Sequence, residues 1–99
     1  MKEQLLRKIQ DKNITAGVVG LGYVGLPLAV EIARAGYRTV GFDLLEEKVG
    51  MVNRGENYIS DVNPGTLKEL TGNGRLEATT DFSRIRETDF IAVCVPTPL

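Results

Sequence analysis

Hydrophobic and polar positions change period several times along the chain, and each change predicts an element. Ile14-Thr15-Ala16-Gly17-Val18-Val19 is an uncharged, partly β-branched run that stops at Gly20, as a strand entering a turn does. From Val24 the spacing becomes helical. Val24, Leu28, Ile32 and Ala35 recur at intervals of four, four and three and are predicted to share the inner face. Gly36 then stands where a helix ends in the left-handed conformation. Tyr37–Phe42 predicts a second strand closing on Asp43, and Leu45–Val52 a second helix with Leu45, Val49 and Val52 inward. Asn53–Asn57 reads as a turn and Tyr58–Asn63 as an irregular connection. Pro64 opens a helix to Leu70 with Leu67 and Leu70 inward, and Gly72-Asn73-Gly74 closes it. Arg75–Thr79 is the third expected strand, and Thr80-Asp81 is placed to cap a brief helical turn, Phe82–Arg86. Phe90–Val95 is so continuously apolar that it predicts a strand buried on both faces, stopped by Pro96-Thr97-Pro98. At the start, Met1–Lys12 is charged and helical in pattern, with Leu5, Leu6 and Ile9 on one side.

Strands alternating with helices imply parallel pairing and right-handed crossovers. The expected architecture is therefore α/β, a Rossmann-type doubly wound parallel sheet of about four strands in order 3-2-1-4. A short helix over residues 1–13 precedes this partial domain over 14–99, and the chain stops where a second half-sheet is expected, as a truncated domain would. Ninety-nine residues bound it to one domain, and 42% hydrophobic with 25% charged residues is enough for a core. The net charge of −1, with scattered Lys and Arg, offers no electrostatic footprint for nucleic acid. Ile14–Val30 carries no charge, but four glycines and Pro27 interrupt it, and it falls short of the roughly 20 apolar residues a membrane span needs. One cysteine and no histidine exclude an internal disulfide, a Ser-His-Asp triad and a His-ligated metal. The lack of an export signal and of paired cysteines points to the cytoplasm. No catalytic or metal-ligating set is expected within these residues.

Gly20-Leu21-Gly22-Tyr23-Val24-Gly25 is a G-x-G-x-x-G run between an expected strand and an expected helix. In that setting Gly20 permits the tight turn, Gly22 leaves room for phosphate, and Gly25 lets the helix press on the strand. The N–H groups of the first helical turn, at the positive end of the helix dipole, would then face a pyrophosphate. Asp43 falls at the tip of the second strand, the spacing at which an acid accepts from an adenosine ribose. Its charge would repel a 2′-phosphate, and Leu44 rather than Arg follows it, which favours NAD over NADP. The bland alternative is that the same carboxylate merely caps the helix that starts near Leu44, and both roles can occur at such a site. Cys94 sits in an apolar run without a histidine or a helix N-terminus beside it, so it is expected to behave as a small hydrophobe. Tyr23 is expected beside the cofactor, and Tyr58 as a packing residue.

Gly20-Leu21-Gly22-Tyr23-Val24-Gly25-Leu26-Pro27-Leu28-Ala29, then Gly41-Phe42-Asp43 and Cys94-Val95-Pro96-Thr97-Pro98-Leu99, resemble the amino-terminal part of the nucleotide-sugar dehydrogenases, the UDP-glucose/GDP-mannose dehydrogenase family. Asn53–Ile59 and Ala78–Phe82 are similar to it too. The likeness runs from about Leu5, and the ending and leading helix look most like the UDP-N-acetylglucosamine 6-dehydrogenase branch. The resemblance implies oxidation of a sugar C6 alcohol to a carboxylate by two hydride transfers to NAD, through a thiohemiacetal and thioester on a catalytic cysteine. It implies that Gly20, Leu21, Gly22, Tyr23, Val24 and Gly25 meet the pyrophosphate and Asp43 the ribose. Lys48 would lie near the adenosine, and Val95 and Thr97 near the nicotinamide half. A solvated helix face also accounts for Lys48, and a plain turn between prolines for Thr97. The UDP-sugar site, the nucleophile and the helix through which the family forms homo-oligomers would all lie beyond Leu99. Two other readings stay open: an NAD-dependent dehydrogenase of the 3-hydroxyacid type, which V-P-T-P and G-Y-V-G-L-P oppose, and a nucleotide-sensing module.

Overall fold

A computed structural model of the chain describes residues 13–59 and 62–94. The expected helix over 1–13 falls almost wholly outside them, as do Val95 and Thr97. The elements run β1 (Thr15–Val19), α1 (Gly25–Arg34), β2 (Arg38–Phe42), α2 (Glu46–Asn53), α3 (Pro64–Gly72), β3 (Leu76–Thr79), a 3-10 helix (Phe82–Glu87) and β4 (Phe90–Val93). The four strands form one parallel sheet in the order β3-β2-β1-β4, as the alternating pattern predicts. In register, Val19 pairs with Phe42 of β2 and Val93 of β4, so these strands end at one level. That level is where the glycine run leaves the sheet.

The core lies between the sheet and the three α-helices, built from Val18, Leu26, Ala29, Val30, Val52, Leu67, Leu76 and their neighbours. The inner face of α1 differs from the expected stripe. Gly25, Leu26, Ala29, Val30 and Ala33 are buried, whereas Val24 is 67% exposed and Ala35 is exposed. Small residues at 25, 29 and 33 let the helix axis sit close to the strands, and Val24 still belongs to the turn before the helix. In α2, Val52 is buried and Val49 packs on the core. Leu45 precedes that helix in extended conformation and stays exposed, contrary to expectation. Pro64 stands in the first turn of α3 as expected, and Asn63, expected only as part of the irregular connection, caps the helix by accepting from the Gly65 and Thr66 N–H groups.

On the opposite side of the sheet the 3-10 helix is capped by Asp81, whose carboxylate accepts from the Ser83 N–H. Phe82 stacks at a tilt on Phe42, with ring centroids 5.7 Å apart. Arg84 pairs with Glu77 and Glu87, tying this turn to β3. The fourth strand departs from expectation in two ways. It ends at Val93, and Phe90, Ile91 and Val93 are all exposed. An apolar run is buried on both faces only where layers cover both, and β4 ends the sheet among the described residues with β1 as its partner.

The outer edge of β3 is closed differently. Asn53, at the end of α2, donates from Nδ2 to the Ala78 carbonyl (2.9 Å) and accepts from the Ala78 N–H at Oδ1 (2.8 Å), copying the pairing of a neighbouring strand. Asn53→Ala leaves both Ala78 groups without this partner. It is expected to lower stability by roughly 1–3 kcal/mol, read from the midpoint shift in urea unfolding.

Candidate functional site

The site begins where β1 ends. Gly20 has φ 95°, a left-handed conformation that turns the chain sharply off the strand and that glycine adopts without strain. Its N–H donates to the Phe42 carbonyl (2.8 Å), fastening the turn to the tip of β2. A Cβ at Gly25 would lie 1.5 Å from the Gly20 carbonyl oxygen, so α1 can begin here only on a glycine. Gly22 is the opposite case. A Cβ there would meet none of the described residues within 4 Å, so their packing makes no demand on that position. The Leu21 side chain is fully buried and lies over Gly41 of β2, where an added Cβ would sit 2.7 Å from it.

The start of α1 carries no side-chain cap and no acid in its first turn. Pro27, the third helical residue, falls in the first turn and has no N–H to satisfy. The Leu26 and Leu28 N–H groups already donate to the Gly22 and Val24 carbonyls, so it is the positive end of the dipole that favours an anion in front of the helix.

Asp43 stands at the tip of β2, half-buried. Its Oδ2 accepts from the Leu21 N–H (2.9 Å) and its Oδ1 from the Leu45 N–H (3.0 Å). The two alternatives for this residue are thus compatible. The carboxylate holds the entry to α2 locally, although Leu45 is the cap position, and it also braces the glycine turn. An ionised carboxylate offers about four lone-pair directions, so two bonds leave acceptor capacity on the crevice side. Tyr58 was expected only to pack. It does pack against the core, and its hydroxyl also donates to the Leu21 carbonyl (2.6 Å). Burial, and secondarily the Asp43 charge, push this phenol up to about 12. Nothing in local spacing signals this contact, because Tyr58 arrives from an irregular segment 37 positions along the chain.

These groups surround a crevice of about 1160 Å³ at the C-terminal ends of β1 and β2, which Gly20, Leu21, Gly22, Tyr23, Val24, Asp43, Lys48 and Tyr58 all line. Gly25 is buried in the close contact with Gly20 and is not among the lining residues. Tyr23 and Leu44 are more than 80% exposed on the rim. Cys94 follows β4, half-buried, packs against the core and reaches the crevice wall, and its N–H donates to the Val19 carbonyl. Among the described residues, no group of acidic, cysteine or histidine side chains could hold a metal ion. No helix there is long and apolar enough to cross a membrane.

A parallel 3-2-1-4 sheet, a glycine turn feeding an uncapped helix and an acid at the tip of β2 define a dinucleotide-binding domain of the Rossmann class. A sequence model described as the UDP-glucose/GDP-mannose dehydrogenase family, NAD binding domain, matches residues 13–99, and the chain belongs to that family. It is 36% identical over 83 residues to a UDP-N-acetyl-D-mannosamine dehydrogenase of Pyrococcus horikoshii, covering 83% of this chain and 20% of that protein. It is 39% identical over 85 residues to a GDP-mannose 6-dehydrogenase of Pseudomonas putida, covering 82% and 19%. Its fold matches the crystal structure of an NDP-N-acetyl-D-galactosaminuronic acid dehydrogenase from Methanosarcina mazei Go1 with a TM-score of 0.77 at 34% identity, covering 95% of this chain and 22% of that one. The chain thus spans about one fifth of the length of these relatives. Their names range over different sugars and nucleotides, so the likeness establishes the family rather than one substrate.

Two outcomes follow from the geometry. Gly25→Ala should destabilise the fold by about 3 kcal/mol through overpacking against Gly20, while Gly22→Ala should stay within about 0.5 kcal/mol of the wild type, both read by scanning calorimetry. The raised Tyr58 value favours the folded state while the phenol is protonated. That contribution is complete below pH 10 and is lost as pH rises toward about 12. Spectrophotometric titration should show one phenol ionising that late, and Tyr58→Phe should remove it.

Proposed function

We propose that this chain binds NAD in the crevice and is the cofactor half of a nucleotide-sugar 6-dehydrogenase. The substrate would be a UDP-sugar, a UDP-N-acetylhexosamine in the favoured case, whose C6 alcohol is oxidised to a uronate with two NAD. The observation that carries the reading is the pairing of an uncapped helix start with Asp43 across one crevice. The relatives named for UDP-N-acetyl-D-mannosamine support the sugar class.

In this reading the backbone of Gly20, Leu21, Gly22, Tyr23 and Val24 meets the pyrophosphate, with Gly25 holding the helix close enough to do so. The remaining acceptor capacity of Asp43 takes the adenosine ribose hydroxyls. Lys48 lies toward the adenosine, and Val95 and Thr97, outside the described residues, toward the nicotinamide half. The cofactor, when bound, supplies the hydride acceptor. This chain's residues bind and orient it. Its single cysteine, Cys94, packs against the core, so these 99 residues alone are expected to bind cofactor without turning over sugar. The sugar site, a homo-oligomeric assembly and a cytoplasmic setting belong to the proposal for the longer protein.

Calorimetric titration of the full chain tests the cofactor reading. The wild type should bind NAD in preference to NADP. Asp43→Ala should weaken NAD by roughly 1.5–3 kcal/mol, the worth of hydrogen bonds to a charged group, and narrow the preference. Equal affinity of wild type and variant for NAD would remove Asp43 from the site.

A further inference from the structure

Leu21 is held at three points. Its N–H is bound by Asp43, its side chain is buried over Gly41, and its carbonyl accepts from Tyr58. The third contact concerns the peptide that links Leu21 to Gly22. In a trans peptide the carbonyl of one residue and the N–H of the next point in opposite directions, and the described residues contain no cis bond. With the Leu21 carbonyl turned to the phenol, the Gly22 N–H is turned the opposite way.

We propose that Tyr58 is a positioning residue for the cofactor loop, its hydroxyl holding the Leu21–Gly22 peptide so that an N–H rather than a carbonyl is offered to a diphosphate. The inference rests on the NAD reading above. Gly22 makes such a clamp necessary. A residue without a Cβ tolerates both signs of φ, and none of the described residues occupies the space beside it. An unclamped peptide at this position can therefore flip, placing carbonyl oxygen where phosphate oxygen must sit. The clamp is itself fixed. Asn57 accepts from the Ile59 N–H (3.0 Å) and donates to the Val62 carbonyl (2.8 Å), and Ile59 and Val62 are buried on either side of the connection. The late ionisation of the phenol keeps it a donor throughout the pH range in which dehydrogenases work.

The test compares the full chain with its Tyr58→Phe variant, which keeps the ring and removes the donor. Dissociation constants are measured by NMR titration for NAD, for ADP and for adenosine. The expected result is a loss of about fivefold for NAD and ADP, the size of one neutral hydrogen bond, with adenosine unchanged. Amide exchange at Leu21 should also quicken in the variant. Should Y58F lower stability, the ratio of ADP to adenosine affinity at a temperature where both proteins are folded still carries the readout. A uniform loss for all three ligands means that Tyr58 only packs, and unchanged affinities mean that the clamp is idle; either overturns the proposal while leaving the cofactor reading intact. Failure of the wild type to bind NAD overturns the cofactor reading itself, and the clamp with it.

Discussion

The carbonyl oxygen of Gly20 occupies the place where a side chain at position 25 would start. This contact sets the distance between the end of β1 and the start of α1, and the rest of the site follows from it. It brings the helix N-terminus over the sheet rather than beside it. It also requires small residues further along, and Ala29 and Ala33 continue the buried face that Gly25 begins. The crevice is thus the outer side of a packing contact. Its width is fixed by backbone approaching backbone, which changes less than side-chain packing does.

Around that contact the structure converges on one residue, Leu21. The turn after β1 contributes Leu21, the residue following β2 contributes Asp43, and the irregular connection after α2 contributes Tyr58. Three segments distant in sequence hold a loop that contains two glycines, residues with wide backbone freedom. A loop ordered before the ligand arrives avoids much of the ordering entropy on binding.

The order of elements and the places of Gly20, Gly25 and Pro64 were legible in the sequence, because each follows from local period or local turn chemistry. Three features were not. The inner face of α1 was misread because Val24, Leu28, Ile32 and Ala35 form the more apolar stripe, whereas small residues facing a sheet carry little hydrophobic signal. The exposure of β4 was misread because apolar runs are scored as buried whatever lies beside them, and burial depends on neighbours. The Tyr58 contact was missed because it joins residues 37 positions apart through a segment without periodicity. In each case a long-range partner decided the outcome.

The two margins of the sheet are unlike. Asn53 satisfies β3 with an amide that imitates another strand, so growth there is terminated. At the other margin, β4 offers a main-chain ladder flanked by uncovered Phe90, Ile91 and Val93. Among the described residues the architecture is therefore polar in the sense of a polymer with one end partly blocked, and β4 is the margin that stays open to a further strand. Any lengthening of the sheet leaves the crevice at β1 and β2 undisturbed, and brings new groups toward its Cys94 wall.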